Sequence, residues 1–318
     1  MFYADSLGFF ELAGRPPDVD PNVKLNLMHL TAARPLTLTL DEVLREIDQT
    51  RKVLLENDRV RLILSRADLE SLPEDKVGVV LGLQDTPKDV NVRRLYEAGI
   101  RFLAPAYKAP NLFGSGFQDP VGGLTNKGRW LLEKCAMEKV VVDLSHLGHR
   151  TAQEVFLFVA TSQGKPSVAA THGGCYSVSH HLRNLPDDVL LNAKRFGGIV
   201  GIYILTFGLH QNSNDPEEFV RHFEYALELV GPDHVSIGSD GVYREIGEEE
   251  GRAHFEIMQK RLDPDETFEA RYPTEAPIFT TPRKMEVIEE LLRSCLPEAA
   301  LRKVMGENFR NFLLRCLK

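Results

Sequence analysis

The fold that this sequence predicts is α/β: a (β/α)8 barrel of the TIM type with extra C-terminal helices. Three observations predict it. Eight short, β-branched runs recur along the chain, and longer amphipathic stretches lie between them. Most of the runs are continuously apolar rather than alternating, the pattern of parallel strands covered on both faces. The 318 residues, 43% of them hydrophobic, suffice for one barrel-sized core. One domain over residues 1–318 is therefore expected. A doubly wound open sheet is the alternative that the same alternation leaves open.

The first predicted strand is Phe2–Ala4. Thr39 then offers an N-cap to a helix over Leu40–Glu56, whose Leu40, Val43, Leu44 and Ile47 share one face. Val60–Leu64, Val77–Leu83 and Ile100–Ala104 are the second, third and fourth strands. A helix over Asn126–Glu138 precedes the fifth, Val140–Leu144. Helical stretches over Thr151–Thr161, Pro186–Lys194 and Pro216–Val230 precede Ser167–Thr171, Gly198–Leu205 and His234–Ser239. The tail, Pro282–Cys295 and Pro297–Leu317, reads as helix packed on the outside. The acidic run Glu245–Glu250 reads as a solvated loop, and His180-His181 as a surface pair.

Charge and cysteine usage exclude several function classes. Thirty-eight Lys and Arg stand against 46 Asp and Glu, a net charge of −8 with no basic block. That argues against nucleic acid or an anionic membrane as partner. No run approaches the ~18 apolar residues of a membrane span. The start shows no basic segment leading into a long apolar one. Cys135, Cys175, Cys295 and Cys316 are scattered with no CxxC pair, which speaks against a disulfide framework or a Cys-type zinc site. A cytoplasmic protein with reduced thiols is the expectation.

Barrel chemistry sits at the C-terminal ends of strands. Ser145 and His146 follow the fifth predicted strand, His172 the sixth and Asp240 the eighth. Three metal-ligating or acid–base groups thus stand at equivalent ends.

At these residues the sequence resembles the M19 (membrane, renal-type) dipeptidases of the amidohydrolase superfamily. The segments that carry the resemblance run in order from Lys76 to Phe309. They include 93–101 (RRLYEAGIR), 123–129 (GLTNKGR), 142–146 (VDLSH), 169–174 (AATHGG), 183–188 (RNLPDD), 230–240 (VGPDHVSIGSD) and 305–309 (MGENF). The resemblance implies two zinc ions at the barrel mouth and hydrolysis of a dipeptide. It implies His146 and His172 as metal ligands, Asp240 as the catalytic acid–base residue and Arg183 as the substrate-carboxylate site. A guanidinium suits a carboxylate bidentately. The resemblance also implies a homodimer.

Other family positions have changed. The strand-one Asp-x-His-x-Asp falls on Asp5-Ser6-Leu7-Gly8-Phe9 and keeps only its first Asp. No His-x-Asp occurs in the chain, and the one His before 146 is His29. The bridging Glu falls on Gln84, and a substrate-contacting His on Tyr107. Two adjacent divalent cations would repel without those carboxylates. The expectation is zero or one divalent metal, zinc or another, per chain. His146 and His172 would be joined at most by Gln84, Asp5 or Asp85. Tyr107 is a substrate-side residue by the resemblance. Asp85 next to Gln84 is expected to face away by strand alternation. The expected function is metal-assisted hydrolysis of a dipeptide or similar small amide. The alternative is a catalytically inactive family member that binds a ligand or serves as a scaffold.

Overall fold

In a computed structural model the chain is described except at residues 12–18, 21, 36–38 and 264–268 and the side chains of 261 and 262. Nine parallel strands lie among the described residues. They are β1 (Ala4–Asp5), β2 (Leu27–Thr31), β3 (Val60–Leu62), β4 (Val77–Leu83), β5 (Ile100–Leu103), β6 (Val141–Asp143), β7 (Val168–Gly173), β8 (Val200–Ile202) and β9 (Val235–Ile237). The order β2-β1-β9-β8-β7-β6-β5-β4 closes through β2–β4 into an eight-stranded barrel, with β3 added on an edge of β4.

The barrel is the one expected, with one member exchanged. Its second strand is Leu27–Thr31, not Val60–Leu64. β4 explains both positions. It pairs along its length with β2, Leu27↔Gly78 to Thr31↔Gly82. On its other edge Val60 meets Val77 and, further up, Leu81 meets Ile100. β3 therefore shares an edge with β5 and stays outside the ring.

Alternation along the strands sorts the apolar residues into two layers. Val79, Leu81, Leu103, Val142 and Ala170 face outward beneath the helices. Ala4, Leu27, Val80, Phe102, Val141 and Ala169 face inward at the lower end. That end is sealed by the last helix, Asn308–Cys316. The Phe309 and Phe312 rings lie 6.2 and 6.4 Å from the Phe102 ring. Asn308 donates to the Val235 carbonyl at 2.8 Å. The tail therefore closes the barrel floor rather than merely coating the outside.

The helix Leu40–Glu56 begins at the cap that the sequence placed. Thr39 Oγ1 accepts from the Glu42 amide at 3.4 Å and the Glu42 carboxylate accepts from the Thr39 amide at 2.8 Å, a complete capping box. Four α-helices were not foreseen: the short Arg66–Glu70, Val92–Glu97 and Thr206–Leu209, and the longer Glu248–Leu262. Glu248–Leu262 is helical, so the acidic run after residue 244 opens a helix instead of a loop. No helix among the described residues is long and apolar enough to cross a membrane.

The mid-barrel layer is polar and tightly drawn in. Ser6 Oγ donates to the Thr171 carbonyl at 2.6 Å across the interior. A Cβ at Gly201 would stand 1.9 Å from that carbonyl oxygen and 2.5 Å from Ser6 Oγ. Gly201→Ala is thus expected to cost the fold ~1–3 kcal/mol or more by overpacking. A urea titration that leaves the midpoint unmoved would contradict this.

Candidate active site

The site is built from the bottom of the polar layer upward. Asp143, the last residue of β6, is buried inside the barrel. Its Oδ1 accepts from Ser145 Oγ at 2.6 Å and its Oδ2 from Thr171 Oγ1 at 2.6 Å. The Thr171 oxygen, having donated its hydrogen, accepts from His172 Nδ1 at 2.9 Å. That fixes the His172 tautomer, with the proton on Nδ1 and the Nε2 lone pair toward His146 and the mouth.

A bulge in β7 makes this possible. Ala170 pairs with Val200 and Gly173 with Ile202, so three steps on β7 match two on β8. The extra residue lets Thr171 and His172 both turn to the interior.

Four side chains meet above this base. His146 Nε2 lies 2.9 Å from His172 Nε2. Asp240 Oδ2 lies 4.0 Å from His172 Nε2. Arg183 Nη2 lies 3.5 Å from His146 Nε2, and Nη1 donates to the Ser145 carbonyl. Tyr107 stacks on His146, centroids 4.2 Å apart. Asp240 stands in the left-handed region at φ 55°, which Asp tolerates better than most residues. Its amide is pinned by the Leu7 carbonyl at 2.8 Å.

Burial sets the protonation states. It holds both His146 and His172 well below the ordinary imidazole range, and the Arg183 cation pushes the same way. Both rings are neutral at pH 7, with a lone pair each to offer. Burial raises Asp240 to about 7; Asp5, Glu275 and Asp143 add to this, while Arg183 opposes it.

The remaining sequence candidates divide between the mouth and its surroundings. Gln84 and Tyr107 line the same cavity as His146, Arg183 and Asp240. Asp5 follows the inward Ala4 and points away from the interior. It accepts from the Leu7 and Ser239 amides at 3.0 and 2.9 Å and from Tyr243 OH at 2.7 Å. Burial raises its carboxyl to about 6, against those hydrogen bonds. Asp85 accepts from the Thr86 amide at 2.9 Å and from Asn111 Nδ2 at 3.1 Å, and so organises the loop after β4. The histidine pair splits: His180 is exposed, but His181 is buried and its Nδ1 accepts from the Arg183 amide at 3.2 Å. Leu7 is buried and Phe9 lines the cavity, so apolar side chains occupy the mouth's strand-one corner.

Sequence reasoning passed over Asp143, Thr171 and His29. Asp143 and Ser145 are polar at a spacing of two at the end of an apolar run, which was the available signal for Asp143; Thr171 has no such polar partner two residues before it. His29 lies in β2, buried, its Nδ1 2.9 Å from the Ser6 carbonyl and its ring stacked on Phe102 at 4.3 Å.

Two neutral imidazoles and a carboxylate are a familiar open set for a divalent ion. A second ion would need charge that Gln84, Leu7 and Phe9 do not carry, and the Arg183 guanidinium already places a cation at the mouth. As they stand, no group of three or more His, Cys, Asp or Glu side chains among the described residues is placed to hold a metal ion. The buried His146 Nδ1 has no hydrogen-bond partner among the described residues.

The membrane dipeptidase (peptidase family M19) family profile matches residues 27–248. An uncharacterized protein in the pqqA 5′ region of Klebsiella pneumoniae is 31% identical over 201 residues, 57% of this chain and 72% of that protein. An uncharacterized dipeptidase of Schizosaccharomyces pombe is 26% identical over 231 residues, 68% of this chain and 54% of its own length. The chain thus spans about half the length of that relative. An amidohydrolase from Pseudomonas aeruginosa has a TM-score of 0.78 at 23% identity, covering 99% of this chain and 96% of that one. A metallo peptidase from Rhodobacter sphaeroides, solved with a phosphinate mimic of L-Ala-D-Ala, has a TM-score of 0.75 at 19% identity over 99% of both chains. At such identities these two likenesses show the fold.

Proposed function

Because the chain belongs to the membrane dipeptidase family, peptidase family M19, we propose that it hydrolyses a small carboxylate-bearing amide with the help of one divalent ion. The observation that carries this reading is Arg183. Its side chain is only 2% exposed, it lines the cavity, and its guanidinium contacts a carbonyl and an imidazole but no carboxylate. A buried cation with no carboxylate in ion-pair contact among the described residues, and with Asp240 only near enough to feel its charge, favours an anionic ligand. Arg183 would take the ligand's carboxylate, with its donors set by the Ser145 carbonyl.

His146 and His172 would hold the ion, His172 oriented through Thr171 and Asp143. The ion, when bound, would polarise the scissile carbonyl and lower the pKa of water. Asp240, raised to about 7, is matched to accept a proton near neutral pH. Tyr107 keeps the His146 ring in place by stacking.

A second reading, a ligand-binding protein without chemistry, is favoured by one contact. At 2.9 Å the two Nε2 atoms already satisfy each other as donor and acceptor, so the pair is stable without an ion. Elemental analysis of protein purified without added zinc, beside a dipeptide cleavage assay, decides between them. We expect no more than one equivalent of metal, and turnover below the ~1–10³ s⁻¹ of ordinary enzymes. Two retained equivalents would overturn the one-ion reading. Turnover abolished by a chelator and restored by zinc would exclude the inactive one.

A further inference from the structure

The cavity above the strand ends is larger than a short dipeptide requires. Its volume is about 640 Å³, in the middle of the ~300–1,000 Å³ range of pockets that enclose drug-sized ligands. The polar groups at the strand ends form its floor. Much of its remaining wall is apolar, with Phe9 after β1, Val53 from the helix Leu40–Glu56, Phe207 after β8, and Phe255 and Met258 from the helix Glu248–Leu262. Phe255 and Met258 are half-buried, and the Phe255 ring lies 6.1 Å from that of Tyr272.

Five carboxylates line the cavity; Asp240 stands at the floor and Asp263 at the end of the helix Glu248–Leu262, and the other three are spent on the protein's own cations. Glu11 meets Arg244 at 2.8 Å, Glu46 meets Arg34, and Glu275 meets Lys284. Gln84 at the floor is neutral. An acylated nitrogen asks for no counter-charge, and the side chains of Phe9, Val53, Phe207, Phe255 and Met258 supply none. The opposite end of the ligand has a dedicated partner in Arg183.

We infer that the ligand is an N-acyl amino acid: its carboxylate on Arg183, its amide over His146 and Asp240, and a medium-length apolar acyl chain along Phe9, Phe255 and Met258. The inference rests on the reading of the floor as a carboxylate-anchored amide site. Burial of apolar surface would then supply much of the affinity.

The test is calorimetric titration of the full chain, as purified, with N-acetyl-, N-hexanoyl- and N-decanoyl-glycine below their micelle concentrations, and with Ala-Ala. Affinity should rise about fourfold for each buried methylene, the equivalent of ~0.8 kcal/mol. The double variant Phe255→Ser/Met258→Ser, checked by a melting curve, should flatten that slope. A flat series in the wild type overturns the inference, as does a slope unchanged in the double variant. Hydrolysis of the same compounds is scored separately. A steep affinity series without cleavage keeps the ligand class and removes the enzymatic reading. Cleavage of Ala-Ala with a flat series does the reverse, and no binding by any compound removes both.

Discussion

Lys284→Met is expected to destabilise the protein by ~3–5 kcal/mol, the cost of leaving a buried charge without its partner. Lys284 is fully buried, and its ammonium contacts the carboxylate of Glu275, which is 7% exposed. The pair packs beneath the active-site rim: a Cβ at Gly241, next to Asp240, would stand 2.5 Å from Lys284 Nζ. Burial raises Glu275 above the ordinary carboxyl range, and Lys284 opposes that rise. Without the lysine the opposition ends and Glu275 rises further. A carboxyl raised on folding favours the native state fully below its unfolded pKa and loses that contribution as pH climbs through its folded value. The deficit of Lys284→Met should therefore be larger in neutral than in mildly acidic buffer. The double variant Lys284→Met/Glu275→Leu should recover most of the loss, since apolar residues of similar volume replace buried ion pairs at little cost. Urea titrations of both variants at two pH values check this. A single variant as stable as the double would refute it.

Arg183→Ala should weaken binding of a carboxylate ligand by ~2–5 kcal/mol, the usual consequence of truncating a desolvated charge partner. Arg183→Lys should recover only part of it, because an ammonium lacks the planar fork. The side chain does not fold back to cap the Asn184-Leu185-Pro186 turn. It reaches instead to the Ser145 carbonyl, between the rings of Phe117 and Tyr203 at 5.4 and 5.8 Å. Some stability therefore goes with it. Titration with N-acetylglycine beside a melting curve separates the two roles. A lowered melting temperature with unchanged affinity would make Arg183 a structural residue.

The barrel was readable because a parallel strand covered on both faces is an uninterrupted apolar run, as in Val77–Leu83. The same criterion misplaced one strand. Val60–Leu64 is apolar enough to pass, yet which edge it joins is decided by contacts with β4. Leu27–Thr31 was passed over because His29 interrupts a short run. His146, His172 and Asp240 stood out as polar residues at strand ends, a positional signal. Asp143 and Thr171 did not stand out, because they sit one to three residues before those histidines inside the apolar runs and their importance lies in the hydrogen bonds they make across β6 and β7. The upper wall was unreadable for a different reason. The three glutamates of Glu248–Glu250 look like solvated surface, and only the fold shows Phe255 and Met258 of the same helix turned to the cavity.

The ring's last closure also sets an order of assembly. Asp5 pairs with Ile237, and the floor beneath Ala4 is sealed by Phe309 and Phe312. During synthesis on the ribosome, the first strand therefore has only one of its two neighbours until most of the chain has emerged. Joining such distant segments adds loop-closure entropy that grows only logarithmically with separation, but it must be met before the contacts reward it. The β2–β8 arc can form early as an open sheet, with the exposed edge of β8 waiting for β9. Nascent chains halted before β9 would then be the species most exposed to edge-to-edge association.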